Sequence, residues 1–209
     1  DSVTLEMQGT AGAHSAGLHL RGPGLDADAR GRGRFYDGEW QLSVTALDVL
    51  DHRNLKMSLQ APAELAFGER GWRVGELCLR GDVARLCGGA DSGATGMRAQ
   101  LSADGLPLAA LTDGLVTATA FDGTLQVDAR LQVPAQGPWS GSVRGALAGA
   151  GVRHQLRNGV ESLDLGSGRF SVDLLPAGLD GHMLLDSGGA GRLEARLATR
   201  RPTPRIMTM

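Results

Sequence analysis

Aromatic residues are scarce in this chain of 209 residues, where four Phe, three Trp and one Tyr make up 4% of the sequence. A closed β protein of this size usually places several aromatic side chains in its core. Long apolar runs are also absent, because no stretch reaches the roughly 18 residues that a membrane-spanning helix requires. The two absences indicate an aliphatic interior and exclude a transmembrane helix within these residues.

Neither sign of charge dominates the chain, since 21 Lys and Arg stand against 23 Asp and Glu, for a net charge of −2. Proteins that bind nucleic acid through the phosphate backbone carry a clear basic excess. The balance therefore excludes an electrostatic attraction to nucleic acid, and we expect no nucleic-acid partner.

Motifs for catalysis or metal binding are lacking as well. The five histidines share no metal-ligand spacing, and no nucleophile elbow of the G-x-S-x-G type occurs. The Asp-Ser-Gly triplets that begin at Asp91 and Asp186 resemble the catalytic triplet of aspartic proteases, yet such a triplet is equally typical of turns. Asp91 also follows a Gly-rich segment rather than an apolar strand. We therefore expect no enzyme and no cofactor.

Cysteine occurs only twice, at Cys78 and Cys87, and this spacing does not match metal or redox motifs. Counting outward from a turn at Asp82 and Val83 pairs the two cysteines, and pairs Leu79 with Leu86, across a β-hairpin. Directly opposed Cα atoms lie within the range of a disulfide. We expect a structural disulfide on the polar side of the hairpin, with two free thiols as the alternative.

Alternation of apolar and polar residues is the strongest pattern in the chain. Residues 124–133 place Leu125, Val127, Leu131 and Val133 on one side and mostly polar residues on the other. A period of two puts alternate side chains on opposite faces of a sheet. The same pattern occurs in residues 3–7, 18–20, 25–29, 55–59, 97–101, 172–174 and 193–197.

Turn-forming residues separate these segments and, with 32 glycines, indicate many short connections. Strands joined by short turns pair with their sequence neighbours, so we predict an all-β fold built as a long antiparallel meander. Residues 106–113 predict one short helical turn. The predicted turns lie at residues 22–24, 37–38, 122–123, 158–159, 166–168, 180–181 and 187–189.

Two architectures fit this alternation. One is a closed two-sheet sandwich with an aliphatic core, and the other is a single curved sheet whose apolar face forms a groove for aliphatic chains. The scarcity of aromatics favours the groove. The candidate groove-lining residues are Leu55, Met57, Leu59, Leu79, Leu86, Leu125, Val127, Leu131, Val133, Leu193 and Leu197.

No composition shift divides the chain, so we expect residues 1–209 to form one continuous sheet segment of a larger protein. Residues 134–138 are rich in Pro and Gly, and they are the best candidate for a bend. Residues 200–209 predict a basic tail that contains proline.

The order of several segments resembles the TamB family, the AsmA-like translocation and assembly module subunits of Gram-negative bacteria. The likeness covers residues 30–200 and suggests a central-to-late segment of such a protein, in the group of bridge-type lipid transfer proteins. The segment after Cys87 departs from the pattern, because such proteins often carry a Trp there. The likeness is carried by residues 38–47 (GEWQLSVTAL), 59–65 (LQAPAEL), 101–111 (LSADGLPLAAL) and 137–141 (GPWSG), together with the cysteine hairpin.

The resemblance implies a periplasmic protein that is anchored in the inner membrane by a helix outside this chain and works with the outer-membrane partner TamA. It implies a β-taco-like sheet with an apolar groove, which acts as a non-enzymatic conduit that shields phospholipid acyl chains between the two membranes and supports outer-membrane biogenesis. The alternative is a β-scaffold that guides outer-membrane proteins by strand pairing.

Overall fold

The computed structural model describes residues 1–51, 55–112 and 118–200. About 80% of them belong to strands, which confirms the all-β prediction. One short helix, α1, covers Leu108–Thr112, close to the predicted helical turn, and a 3₁₀ turn covers Gly188–Ala190. The strands are β1 Ser2–Thr10, β2 Ala13–Arg21, β3 Leu25–Tyr36, β4 Glu39–Asp51, β5 Lys56–Leu59, β6 Ala63–Gly68, β7 Gly71–Arg80, β8 Arg85–Gly93, β9 Gly96–Pro107, β10 Thr119–Pro134, β11 Ser140–Leu156, β12 Gly159–Leu175, β13 Gly178–Asp186 and β14 Arg192–Arg200.

The strands form one curved antiparallel sheet in which almost every strand pairs with its sequence neighbours. The exception is the space between β4 and β7, which β5 and β6 share end to end. Residues 60–62 interrupt pairing there, and Pro62 has no backbone N–H to donate. The sheet is therefore thirteen strands wide, or about 60 Å at the usual spacing of about 4.8 Å between neighbours.

Three of the predicted turns lie inside strands instead. Asp122 and Gly123 form a bulge within β10, where the register to β11 shifts and Gly123 has a φ of +107°. Gly166 forms a second bulge within β12 with a φ of +68°. Asp180 and Gly181 are ordinary ladder residues of β13. Residues that permit a turn also permit a bulge, and neighbouring strands on both sides decide between the two.

The described chain forms a single layer and buries little of itself. Nine of its hydrophobic residues are buried, and no large side chain is fully buried. The accessible surface is 14668 Å² for 21.7 kDa, whereas a compact monomer of that mass exposes about 9,200 Å². The sandwich alternative therefore does not describe this chain.

Several sequence features fall on connections or outside the described residues. The candidate bend at residues 134–138 begins at the last residue of β10 and otherwise lies in the connection from β10 to β11. His52 and the part of the basic tail beyond Arg200 lie outside the described residues. Within the described part, no helix is both long enough and apolar enough to cross a membrane.

Candidate functional site: an exposed apolar face

The apolar residues of β10 share one side of the sheet with apolar residues of every other strand. Val127 lies opposite Ala103 of β9, and Leu125 lies opposite Leu147 of β11. When the pairing is followed from strand to strand, the same side of the sheet includes Leu5 of β1 in one direction and Leu197 of β14 in the other. Because directly opposed residues of paired strands point to the same face, alternation within each strand and pairing between strands together define one continuous surface.

We call this surface the inner face. A few polar residues also lie on the inner face, among them His14, Ser92 and Thr199. The apolar inner-face residues are Val3, Leu5, Met7, Ala16, Leu18, Leu20, Leu25, Ala27, Ala29, Phe35, Trp40, Leu42, Val44, Leu47, Val49, Met57, Leu59, Ala63, Leu65, Phe67, Trp72, Val74, Leu77, Leu79, Leu86, Ala90, Met97, Ala99, Leu101, Ala103, Leu106, Leu125, Val127, Ala129, Leu131, Val133, Val143, Leu147, Phe170, Val172, Leu174, Leu179, Met183, Leu185, Leu193, Ala195 and Leu197.

The inner face is best covered at the middle of the sheet and is open toward both ends. Met57 and Leu79 are 4% and 7% exposed, whereas Leu5 and Leu197 are 64% and 59% exposed. Apolar patches on soluble monomers rarely exceed a few hundred Å², and larger ones mark a binding surface. No second layer of the described chain covers this face, so its apolar surface is available to a ligand or a partner.

The structure places the candidate groove-lining residues on or beside this face. Five of them pack in one central cluster with Ala84, namely Leu55, Met57, Leu59, Leu79 and Leu86. The four candidates on β10 are half-buried on the inner face, and Leu193 and Leu197 are exposed on it at the edge strand β14. That they line a groove for a ligand stays a prediction.

The opposite side, which we call the outer face, carries charged pairs. The guanidinium of Arg153 lies 2.6 Å from Asp122, and that of Arg98 lies 3.1 Å from Asp91. The hydrogen bond from Arg153 lowers the pKa of the Asp122 carboxyl and raises the pKa of Arg153 itself.

Glu194 on β14 gathers a second group of charges on the outer face. Its carboxylate lies 3.1 Å from the imidazole of His182 and 2.9 Å from the guanidinium of Arg196. The hydrogen bond from His182, followed by the one from Arg196, lowers the pKa of Glu194. The two faces of the sheet therefore differ sharply in polarity.

Cys78 and Cys87 also lie on the outer face. They are directly opposed in the hairpin of β7 and β8, their Cα atoms are 4.1 Å apart, and a disulfide joins them. The turn closes as the sequence predicts, with the N–H of Gly81 donating to the carbonyl of Ala84 over 2.8 Å. With Glu76 they form the one group of metal-ligand types within the described residues, but the bonded sulfurs offer no thiolate.

The two Asp-Ser-Gly triplets lie far apart in the sheet. Asp91 belongs to β8 and pairs with Arg98, while Asp186 ends β13 with four strands between them. The carboxylate of Asp186 accepts a hydrogen bond from the Gly188 N–H at 3.0 Å, as a turn residue does. A shared-proton carboxylate pair is therefore not formed by these two residues.

A row of aromatic side chains crosses four neighbouring strands of the inner face, a feature that sequence reasoning missed. Phe35 lies opposite Trp40, Trp40 opposite Phe67, and Phe67 opposite Trp72. The rings of Phe35 and Trp40 are 5.2 Å apart between centroids. Counting outward from the turns at residues 37–38 and 69–70 would have found the two outer pairs, but the pairing of β4 with β6 carries no local sequence signal.

An open antiparallel sheet with one charged face and one exposed apolar face defines a class of protein, the groove-type or β-taco-like β proteins. The chain belongs to the TamB family: the family model described as TamB, N-terminal domain, matches residues 1–206. That model is of an N-terminal domain and does not confirm a central-to-late placement. No curated protein and no solved structure matches the chain.

Proposed function

We propose that this chain is a periplasmic, non-enzymatic lipid-conduit segment. Its inner face shields phospholipid acyl chains on their way between the inner and outer membranes, in support of outer-membrane biogenesis. The outer-membrane partner in this proposal is TamA. Membership of the TamB family supports this proposal, and the inner face supplies the physical means.

The observation that carries the proposal is the continuity of the exposed apolar surface from β1 to β14. A phospholipid has about thirty chain methylenes, and exposing them to water costs about 0.8 kcal/mol each, or about 25 kcal/mol in total. A carrier that released the chains midway would face that cost as a barrier. A continuous apolar face about 60 Å long lowers it over the whole path.

Site-specific photocrosslinking tests the proposal. A photoreactive amino acid is placed at Leu125, Val127 or Leu131 on the inner face, in the chain exported to the periplasm of a Gram-negative host. Matched outward positions on the same strand are Gln126 and Asp128, which are exposed. We expect phospholipid adducts, identified by mass spectrometry, at the three inner positions and not at the outer two.

Adducts that are absent, or equal on both sides of β10, would contradict the proposal. Because inner and outer positions alternate on one strand, differences in expression or in local concentration of lipid affect both sets alike. The comparison therefore reports the side of the sheet and not the position of the strand.

The edges of the sheet favour a second candidate function. Among the described residues, β1 and β14 each pair on one side only, and every residue of both strands is exposed. Such edges can accept an added strand, as a scaffold for outer-membrane proteins would require. Crosslinks from β1 or β14 to an unfolded β-barrel protein, without lipid adducts on β10, would favour the scaffold over the conduit.

A further inference from the structure

The aromatic row lies at one rim of the inner face, where strands end in turns. Trp40 and Trp72 are the second residues of β4 and β7, and Phe35 and Phe67 are the penultimate residues of β3 and β6. The neighbouring turns carry the exposed, charged Asp37, Glu69 and Arg70. From the turns inward, the surface therefore passes from charged to aromatic to aliphatic.

His14 lies one step further in on the same face. It stands opposite Gly33 of β3, and its ring meets the Trp40 ring edge-on at 5.1 Å between centroids. A Cβ on Gly33 would lie 2.6 Å from Nε2 of His14, so the imidazole occupies space that glycine leaves free. Its Nδ1 is buried and has no hydrogen-bond partner within the described chain.

A buried polar atom without a partner costs free energy and calls for an explanation. Here it lies beside the Trp40 ring and is closed to water, so a hydrogen-bonding group of a ligand reaches it when the imidazole turns about its Cβ–Cγ bond. Trp and other amphipathic rings favour the zone between headgroups and hydrocarbon. In a diacyl phospholipid, that zone holds the glycerol and its two ester carbonyls.

Resting on the proposed function, we propose that Phe35, Trp40, Phe67, Trp72 and His14 form the headgroup end of a lipid site. The glycerol ester region of a bound diacyl phospholipid lies against this rim, and an ester carbonyl accepts the hydrogen bond of His14. The acyl chains run inward along the strands. From Trp72 to Leu79 the strand β7 spans about 20 Å, enough for the hydrocarbon depth of one leaflet, about 15 Å.

Tryptophan quenching by brominated phosphatidylcholine tests this orientation. The variant Trp139→Phe keeps the rim reporters Trp40 and Trp72. One lipid carries bromine near the ester end of its acyl chain, and the other carries it near the methyl end. We expect the rim tryptophans to be quenched more strongly by the ester-end bromines. Wild-type protein is measured in parallel, so that quenching by the two lipids can still be compared if the variant folds poorly.

A reporter at the middle of β10 is the matched control. Val127→Trp is made in a background where Trp40, Trp72 and Trp139 are all Phe, because the register places Val127 level with Leu79, far from the rim. We expect the opposite order there, with stronger quenching by methyl-end bromines. If the control is quenched but the rim tryptophans show no preference or the reverse one, the orientation is wrong and the conduit proposal stands. If neither is quenched, both proposals fail.

The role of His14 has a separate readout. A diether phospholipid keeps the chains and headgroup but lacks both ester carbonyls. We expect wild-type protein to bind the diester lipid about two- to tenfold more tightly than the diether lipid, the range of one hydrogen bond. His14→Leu should remove that preference. Equal binding of the two lipids by wild-type protein, or a preference that survives in His14→Leu, overturns the assignment.

Discussion

At the level of single residues, glycine determines where this sheet can bend. Gly105 sits at the bulge between β9 and β10 with a φ of +65°, and an added Cβ would collide with the carbonyl oxygen of Val83. An L-residue is strained in this backbone region, and the collision adds to the strain. Gly17 on β2 has open space around its hypothetical Cβ.

These two glycines give a matched prediction. Gly105→Ala should lower the free energy of unfolding by about 1–3 kcal/mol, while Gly17→Ala should change it by less than about 0.5 kcal/mol. Urea unfolding followed by circular dichroism measures both. Equal effects of the two substitutions would show that the bulge at Gly105 does not constrain the sheet.

The ion pair of Asp122 and Arg153 makes stability depend on acid pH. Because Arg153 lowers the pKa of Asp122 in the folded state, the contribution is present above the unfolded pKa of about 3.9. It is lost as the pH falls through the lower folded pKa. Asp122→Asn should therefore flatten the fall in unfolding free energy below about pH 4, measured by urea unfolding at a series of pH values.

Arg153→Gln provides the control for that pair. It should flatten the acid limb as Asp122→Asn does, and the double variant should add nothing further, since both substitutions remove one interaction. Additive effects in the double variant would mean that the two groups act on stability independently.

The disulfide between Cys78 and Cys87 crosslinks β7 and β8 on the outer face, next to Leu79, whose side chain lies on the inner face. Closing a loop of about ten residues stabilises a fold by about 2–3 kcal/mol. Replacing both cysteines with alanine should lower the free energy of unfolding by that amount in urea titrations. Lipid crosslinks from Val127 should persist in the same variant, and their loss would show that the disulfide is also needed for the structure of the inner face.

At the level of strands, alternation alone placed most elements. Each segment with a period of two lies largely or wholly in a strand, since burial on one side suffices to specify a face. The cysteine hairpin could be counted to its register because a two-residue turn fixes pairing on both sides.

The features that sequence could not give are those that depend on non-local pairing. Gly123 and Gly166 suit a turn or a bulge equally well, and only the adjacent strands decide. The aromatic row needs Trp40 and Phe67 side by side, although 26 residues separate them in the sequence. The space that the His14 imidazole occupies likewise depends on Gly33, which lies on another strand.

Position in the sheet order should set how long each strand resists hydrogen exchange. β9 pairs with β8 and β10 on its two sides, whereas β14, within residues 1–51, 55–112 and 118–200, pairs with β13 alone. Edge strands open at lower free energy than central ones. Peptides from β14 should therefore exchange faster than peptides from β9 in mass-spectrometric measurements. Equal protection of both would indicate that another chain covers the β14 edge.

At the level of the whole molecule, the unusual quantity is the surface left exposed. The chain forms a single layer and exposes much more surface than a compact monomer of its mass. Its folding therefore buries less apolar surface than a compact fold would bury. Natural sequences rarely leave such apolar area without a function. The outer face, with its ion pairs and disulfide, holds the sheet while the inner face stays available.

The most direct measurement of this account is the lipid that co-purifies with matched variants, quantified by mass spectrometry. Val127→Glu with Leu131→Glu places charge on the inner face, and Gln126→Glu with Gln132→Glu places the same charge on the outer face of the same strand. We predict bound phospholipid in wild type and in the outer variant, and its loss in the inner variant. Equal lipid in all three, or none in wild type, would contradict the account.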